Sequence, residues 1–105
     1  MGWIGVDLDG TLAVYDSWKG GEIGEPVPAM AFRVRKWLAD GKEVRIMTAR
    51  ASVPELIPAI ETWCETHFGK KLPVTNVKDF SMIELWDDRA IQVEPNTGRR
   101  MDGKD

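Results

Sequence analysis

Two aspartates one residue apart, Asp7 and Asp9, end the apolar run Ile4-Gly5-Val6 and lead into Gly10-Thr11-Leu12. A run of this kind predicts a buried strand that delivers carboxylates to the end of a sheet, where a turn begins. Carboxylates about 4 Å apart, at an effective dielectric near 20, repel by roughly 4 kcal/mol, so a fold keeps them together by protonating one or supplying a cation. A hard divalent ion such as Mg²⁺ suits oxygen ligands and keeps room in its shell for a phosphate. The competing interpretation is a solvated Asp-Gly turn. Three later sites could join this chemistry. Thr48-Ala49-Arg50 follows the apolar stretch 43–47, Lys78 follows 72–77, and Asp87-Asp88-Arg89 follows Ile83-Glu84-Leu85-Trp86. A hydroxyl at a strand end can donate to a phosphate oxygen, and a guanidinium can present a planar fork to one or pair with a carboxylate.

The elements that must position these groups alternate between strand and helix. Residues 3–7 predict a strand covered on both faces. Residues 13–25 form a loop rich in Gly20, Gly21 and Gly24 that carries Tyr15, Trp18 and Lys19. It is expected to hang over the acidic pair, either as a surface hairpin or as a flap on substrate. Pro28 opens a helix whose Met30, Ala31, Val34, Trp37 and Leu38 recur at helical spacing, with Arg33, Arg35 and Lys36 on the solvated side. Gly41 suits the left-handed position that closes it. A strand over 43–47 follows. A helix over 52–68 comes next, its regular part starting near Ile57 because Pro54 and Pro58 crowd the beginning; Leu56, Ile60, Trp63, Cys64 and Phe68 make its buried face. His67, near that helix end, is expected to be structural. Gly69 stops the helix. Extended segments are expected over 72–77 and 83–86, with a short last strand over 90–93, a turn at 95–98 and a mobile tail over 99–105. Few residues separate Lys78 from the next strand, too few for a crossover helix, so the third strand must be short or displaced.

In this order the segments Asp7-Leu8-Asp9-Gly10-Thr11-Leu12, Thr48-Ala49-Arg50, Lys78 and Asp87-Asp88 resemble the four motifs of the haloacid dehalogenase superfamily of phosphohydrolases, over positions 7–89. The resemblance implies an α/β fold: a Rossmann-like three-layer core with a mostly parallel sheet and the site at the carboxyl ends of the strands, where strand order reverses. It further implies phosphomonoester hydrolysis with Asp7 as nucleophile, Asp9 as acid and base, and Thr48 and Lys78 on the transferring group. Mg²⁺ would be held by Asp7, the main-chain carbonyl of Asp9 and Asp87, with Asp88 in support. Gly10, Thr11, Thr48, Ala49, Arg50, Lys78 and Arg89 would surround the substrate. Larger members insert a cap domain; the intervals here hold little more than a loop and a helix each, so no cap is expected. The second to fourth motifs are also similar to those of the 3′-phosphatase domain of phage polynucleotide kinase-phosphatase, which has Ser-Gly-Arg at the second. That likeness implies a nucleotide or nucleic-acid end as substrate, with a sugar phosphate or other small phosphomonoester as competitor. A phospho-accepting sensor or a catalytically silent binding protein on the same fold is the alternative of another class.

Composition agrees with one folded domain over 1–98. The 105 residues are 43% hydrophobic and 30% charged, with a formal charge of −3. That balance argues against broad binding along a nucleic-acid backbone. Cys64 is the single cysteine, so no internal disulfide forms, and a cytoplasmic setting is expected. No apolar run approaches the ~20 residues of a membrane span. An oligomer is compatible with the sequence but not indicated by it.

Overall fold

The computed structural model describes residues 2–16 and 21–104; the expectations for Trp18 and Lys19 fall outside them. Four strands, β1 (Trp3–Val6), β2 (Glu43–Met47), β3 (Val74–Thr75) and β4 (Met82–Trp86), form one sheet in the order β3-β2-β1-β4, and each pairing is parallel. Helix α1 (Pro28–Ala39) joins β1 to β2, and α2 (Ile57–Phe68) joins β2 to β3. The chain therefore moves outward from β1 in one direction and then returns to its other side. Strand order reverses at β1, which carries Asp7 at its end.

Alternation along the strands sorts their side chains. Ile4 and Val6 lie level with Val44 and Ile46 of β2, and this face shares a single core with Met30 and Val34 of α1 and Ile60 and Cys64 of α2. Both helices thus cover the same face. Val34, Ile46 and Ile60 are fully enclosed, each contributing on the order of 1.5–3 kcal/mol by leaving water. Burial also pushes the Cys64 thiol up to about 11, as befits a small apolar core residue. Pro28 starts α1 at a position where no N–H is needed. After Asp40, Gly41 takes φ 79°, and its N–H bonds the carbonyl of Leu38. Two short 3-10 turns, Ala49–Ser52 and Pro54–Leu56, precede α2, which becomes regular at Ile57.

The opposite face carries Trp3, Gly5 and Arg45, and no helix among the described residues covers it. The Arg45 guanidinium lies 4.4 Å from the centre of a Trp3 ring, and Trp3 Nε1 donates to Asp79 Oδ1 at 2.8 Å. Trp3 N also donates to the carbonyl of Ser81. Asp79 belongs to segment 76–81, which leaves β3 level with the far end of β2 and enters β4 beside Trp3 at the near end. Crossing three strand spacings of about 4.8 Å while descending the sheet takes roughly 19 Å, within the roughly 23–25 Å that the seven steps from Thr75 to Met82 span when extended, and the remainder is taken up by a turn in which Met82 N bonds the carbonyl of Asp79. The three layers are therefore helices, sheet and a thin strap. This resolves the short connection after Lys78: β3 contracts to Val74–Thr75, and the strap replaces a crossover helix. Beyond β4, residues 92–101 turn back on themselves. Val93 bridges Arg100, and Met101 N bonds the carbonyl of Gln92; of the strand expected over 90–93 only Val93 pairs.

Candidate active site

Asp7 follows β1, Thr48 follows β2, and Asp87 and Asp88 follow β4, so parallel pairing brings all four to one end of the sheet. One carboxylate oxygen from each of Asp7, Asp87 and Asp88 lies within 4.8 Å of the others. Burial pushes the Asp7 carboxyl up to about 7, reinforced by a hydrogen bond with Asp88 and by the charges of Asp87 and Asp88. Asp88 moves the other way. Partial burial raises it, but hydrogen bonds from Thr11 and Asp7 outweigh that and hold it below the usual carboxylate range. Three hard oxygen donors gathered this closely suit a divalent cation such as Mg²⁺, which would relieve their repulsion. Asp88 stands in the cluster itself, whereas the Asp9 carboxylate lines the cavity beside it and is paired with Arg50.

The turn after β1 is built around this cluster. Thr11 Oγ1 donates to Asp88 Oδ1 at 2.9 Å and accepts from Asp88 N at 2.9 Å, tying the β1 turn to the end of β4. Leu8 and Leu12, both fully buried, plug the turn into the core. Gly10 adopts φ 89°, and a Cβ there would sit 2.7 Å from Asp88 Oδ2. Its part is to let Asp88 approach. Thr48 is buried, and its Oγ accepts from Arg50 N at 3.1 Å, which leaves the hydroxyl hydrogen to donate.

Arg50 turns toward Asp9. Its Nε and Nη2 donate to the two Asp9 carboxylate oxygens at 2.7 and 2.8 Å, and the guanidinium also donates to the carbonyls of Gly21 and Glu22. Arg50 thereby clamps the returning arm of loop 13–25 to the acidic turn. Trp63 Nε1 fixes the same arm by donating to the carbonyl of Gly24 at 3.0 Å.

A cavity of about 760 Å³ opens over the cluster. Asp7, Asp9, Thr48, Ala49 and Arg50 line it on the side of β1 and β2, and Asp87, Asp88 and Arg89 on the side of β4. Lys78 is exposed on the strap and does not line the cavity, whereas its near neighbour Asn76 does. The remaining wall, which the sequence did not single out as a site, contains Tyr15, Met47, Val53 and Leu56. Tyr15 was visible as an aromatic on the loop after the acidic pair; nothing in the sequence marked Asn76, which reaches the wall because β3 stops early. No helix among the described residues is long and apolar enough to cross a membrane. Comparison of the chain with protein-family models, curated proteins and solved structures finds no match.

Proposed function

We propose that the chain is a Mg²⁺-dependent phosphomonoester hydrolase of the haloacid dehalogenase type, without a cap. The observation that carries this is the convergence of Asp7, Asp87 and Asp88 oxygens within 4.8 Å, beside Thr48, at the carboxyl end of a parallel sheet. In the first step an Asp7 oxygen attacks phosphorus in line; the O–P bond forms as the bond to the leaving oxygen breaks, and Asp9 gives that oxygen its proton. In the second, water attacks the aspartyl-phosphate, Asp9 takes the water's proton, and Asp7 leaves as carboxylate. Bound Mg²⁺, held by Asp7, Asp87 and Asp88, would offset charge on the phosphoryl oxygens and keep Asp7 ionised for attack. Thr48 donates to a phosphoryl oxygen and Arg89 faces the same space; Lys78 enters only through the resemblance. The preferred substrate is a nucleotide or nucleic-acid terminal phosphate, with sugar phosphates as the competing class.

The test is phosphate release from a panel of phosphomonoesters with and without Mg²⁺, in the wild type and in Asp7→Asn. Mg²⁺-dependent turnover that Asp7→Asn abolishes supports the assignment, and near-normal turnover by that variant refutes it. A second reading has its own observation. Arg50 occupies both oxygens of Asp9, as suits a phospho-acceptor that lacks an acid for turnover. A stable acyl-phosphate on Asp7 after treatment with acetyl phosphate, without hydrolysis, would favour it.

A further inference from the structure

The cavity over the acidic cluster is far larger than a phosphate group needs; at about 760 Å³ it falls in the range of sites that enclose whole small molecules. Its two sides differ in chemistry. The side formed by the strand ends is carboxylate, hydroxyl and guanidinium, whereas the wall formed by Tyr15, Met47, Val53 and Leu56 is apolar and aromatic. Tyr15 is 45% and Val53 44% exposed, so both present surface without belonging to the core. Val53 precedes the second 3-10 turn and Leu56 ends it, and the first turn, Ala49–Ser52, joins them to Thr48. Asn76 closes this wall from the end of β3. Its Nδ2 donates to Ser52 Oγ at 2.9 Å, which orients the amide and leaves Oδ1 as the acceptor it can offer.

We propose that this wall is a leaving-group subsite for the base of a mononucleotide, with Tyr15 as the stacking face, Val53 and Leu56 as the apolar floor and Asn76 as the polar contact. The inference rests on the phosphohydrolase reading for the orientation of the ligand, phosphate toward Asp7 and base toward Tyr15. A sugar phosphate would place hydroxyls against Met47, Val53 and Leu56 and leave them without partners. A planar base covers an aromatic and aliphatic wall and satisfies one amide. The source is a mononucleotide and not a polymer end because, among the described residues, the cations lining the cavity are Arg50 and Arg89, Arg50 is engaged by Asp9, and the chain carries a formal charge of −3. A tracking polymer needs several phosphates neutralised.

The experiment compares kcat/KM for nucleoside monophosphates, ribose 5-phosphate and 3′-phosphorylated oligonucleotides, and measures binding of unphosphorylated adenosine and uridine by calorimetry. Wild type, Tyr15→Ala and Val53→Glu are used, since both positions are exposed enough to be changed without loss of fold. Nucleoside monophosphates should exceed ribose 5-phosphate by about 5- to 100-fold, the range that base–aromatic stacking provides. Tyr15→Ala should erase that ratio by raising KM with kcat nearly kept, and both variants should weaken nucleoside binding about tenfold or more. Equal turnover of ribose 5-phosphate and nucleotides, with the variants unchanged, overturns the subsite and leaves the phosphatase standing. Nucleoside binding that depends on Tyr15, without any hydrolysis, sustains the subsite and removes the phosphatase. A tenfold preference for oligonucleotides over mononucleotides overturns the mononucleotide source.

Discussion

Replacing Asp7 by Asn should stabilise the metal-free protein at neutral to alkaline pH. Asp7 has a folded-state pKa of about 7 against an ordinary value of 3.8, so the folded state binds this proton more tightly than the unfolded chain does. The stabilisation from a protonated Asp7 is fully present below about pH 4 and is lost as pH rises to 7. The difference, 7 − 3.8 = 3.2, corresponds to roughly 4 kcal/mol at 1.36 kcal/mol per pH unit. Asp7 is only half-buried, and solvent screening reduces this to about 2 kcal/mol. Asn resembles the neutral carboxyl and escapes the charges of Asp87 and Asp88. Asp7→Asn in EDTA at pH 8 should therefore melt about 8–10 °C higher than the wild type, with the gap closing toward pH 4.5. Thermal unfolding followed by tryptophan fluorescence across this pH range measures it. Adding Mg²⁺ at pH 8 should raise the wild-type melting temperature and affect the variant much less. A variant no more stable than wild type at pH 8 in EDTA, or a gap independent of pH, would show that burial and the neighbouring carboxylates do not hold the Asp7 proton as described.

Asp87→Asn removes one charged ligand while keeping the shape, and calorimetric Mg²⁺ affinity should fall about 10- to 100-fold. Gly10→Ala combines a backbone at φ 89° with a Cβ 2.7 Å from Asp88 and should cost about 1–3 kcal/mol in urea unfolding; an unchanged midpoint would mean that the turn relaxes away from Asp88. Thr11→Val removes the acceptor for Asp88 N and the donor to its carboxylate. It should destabilise by about 1–3 kcal/mol, with the loss visible in denaturant midpoints and in weaker Mg²⁺ binding.

Much of the scaffold was legible because its signals are local. Residues 43–47 alternate and end before Thr48, and Pro54 and Pro58 postpone the regular helix to Ile57; both features appear as expected. The delivery of Asp7, Thr48 and Asp87 to one sheet end follows from strand direction alone. What escaped depends on contacts between segments far apart in the chain. Arg50 could as well have faced a phosphate as a carboxylate, and only folding brings it to Asp9 across 41 positions. The bond from the Thr11 hydroxyl to Asp88 likewise joins segments 77 positions apart. Segment 72–77 had the composition of a longer strand, but Ile46 and Met47 provide pairing for Val74 and Thr75 alone, and Val77 and Lys78 leave for the strap.

The strap ends in a turn in which Met82 N bonds the carbonyl of Asp79, and Trp3 grips that turn through its indole and its main-chain N–H. The start of β4 is thereby set against the first residue of β1, and from there the paired strands run together to Val6 and Trp86. The spacing of Asp7, Asp87 and Asp88 is thus indexed from the opposite end of the two strands, where a tryptophan and an aspartate fix the common origin.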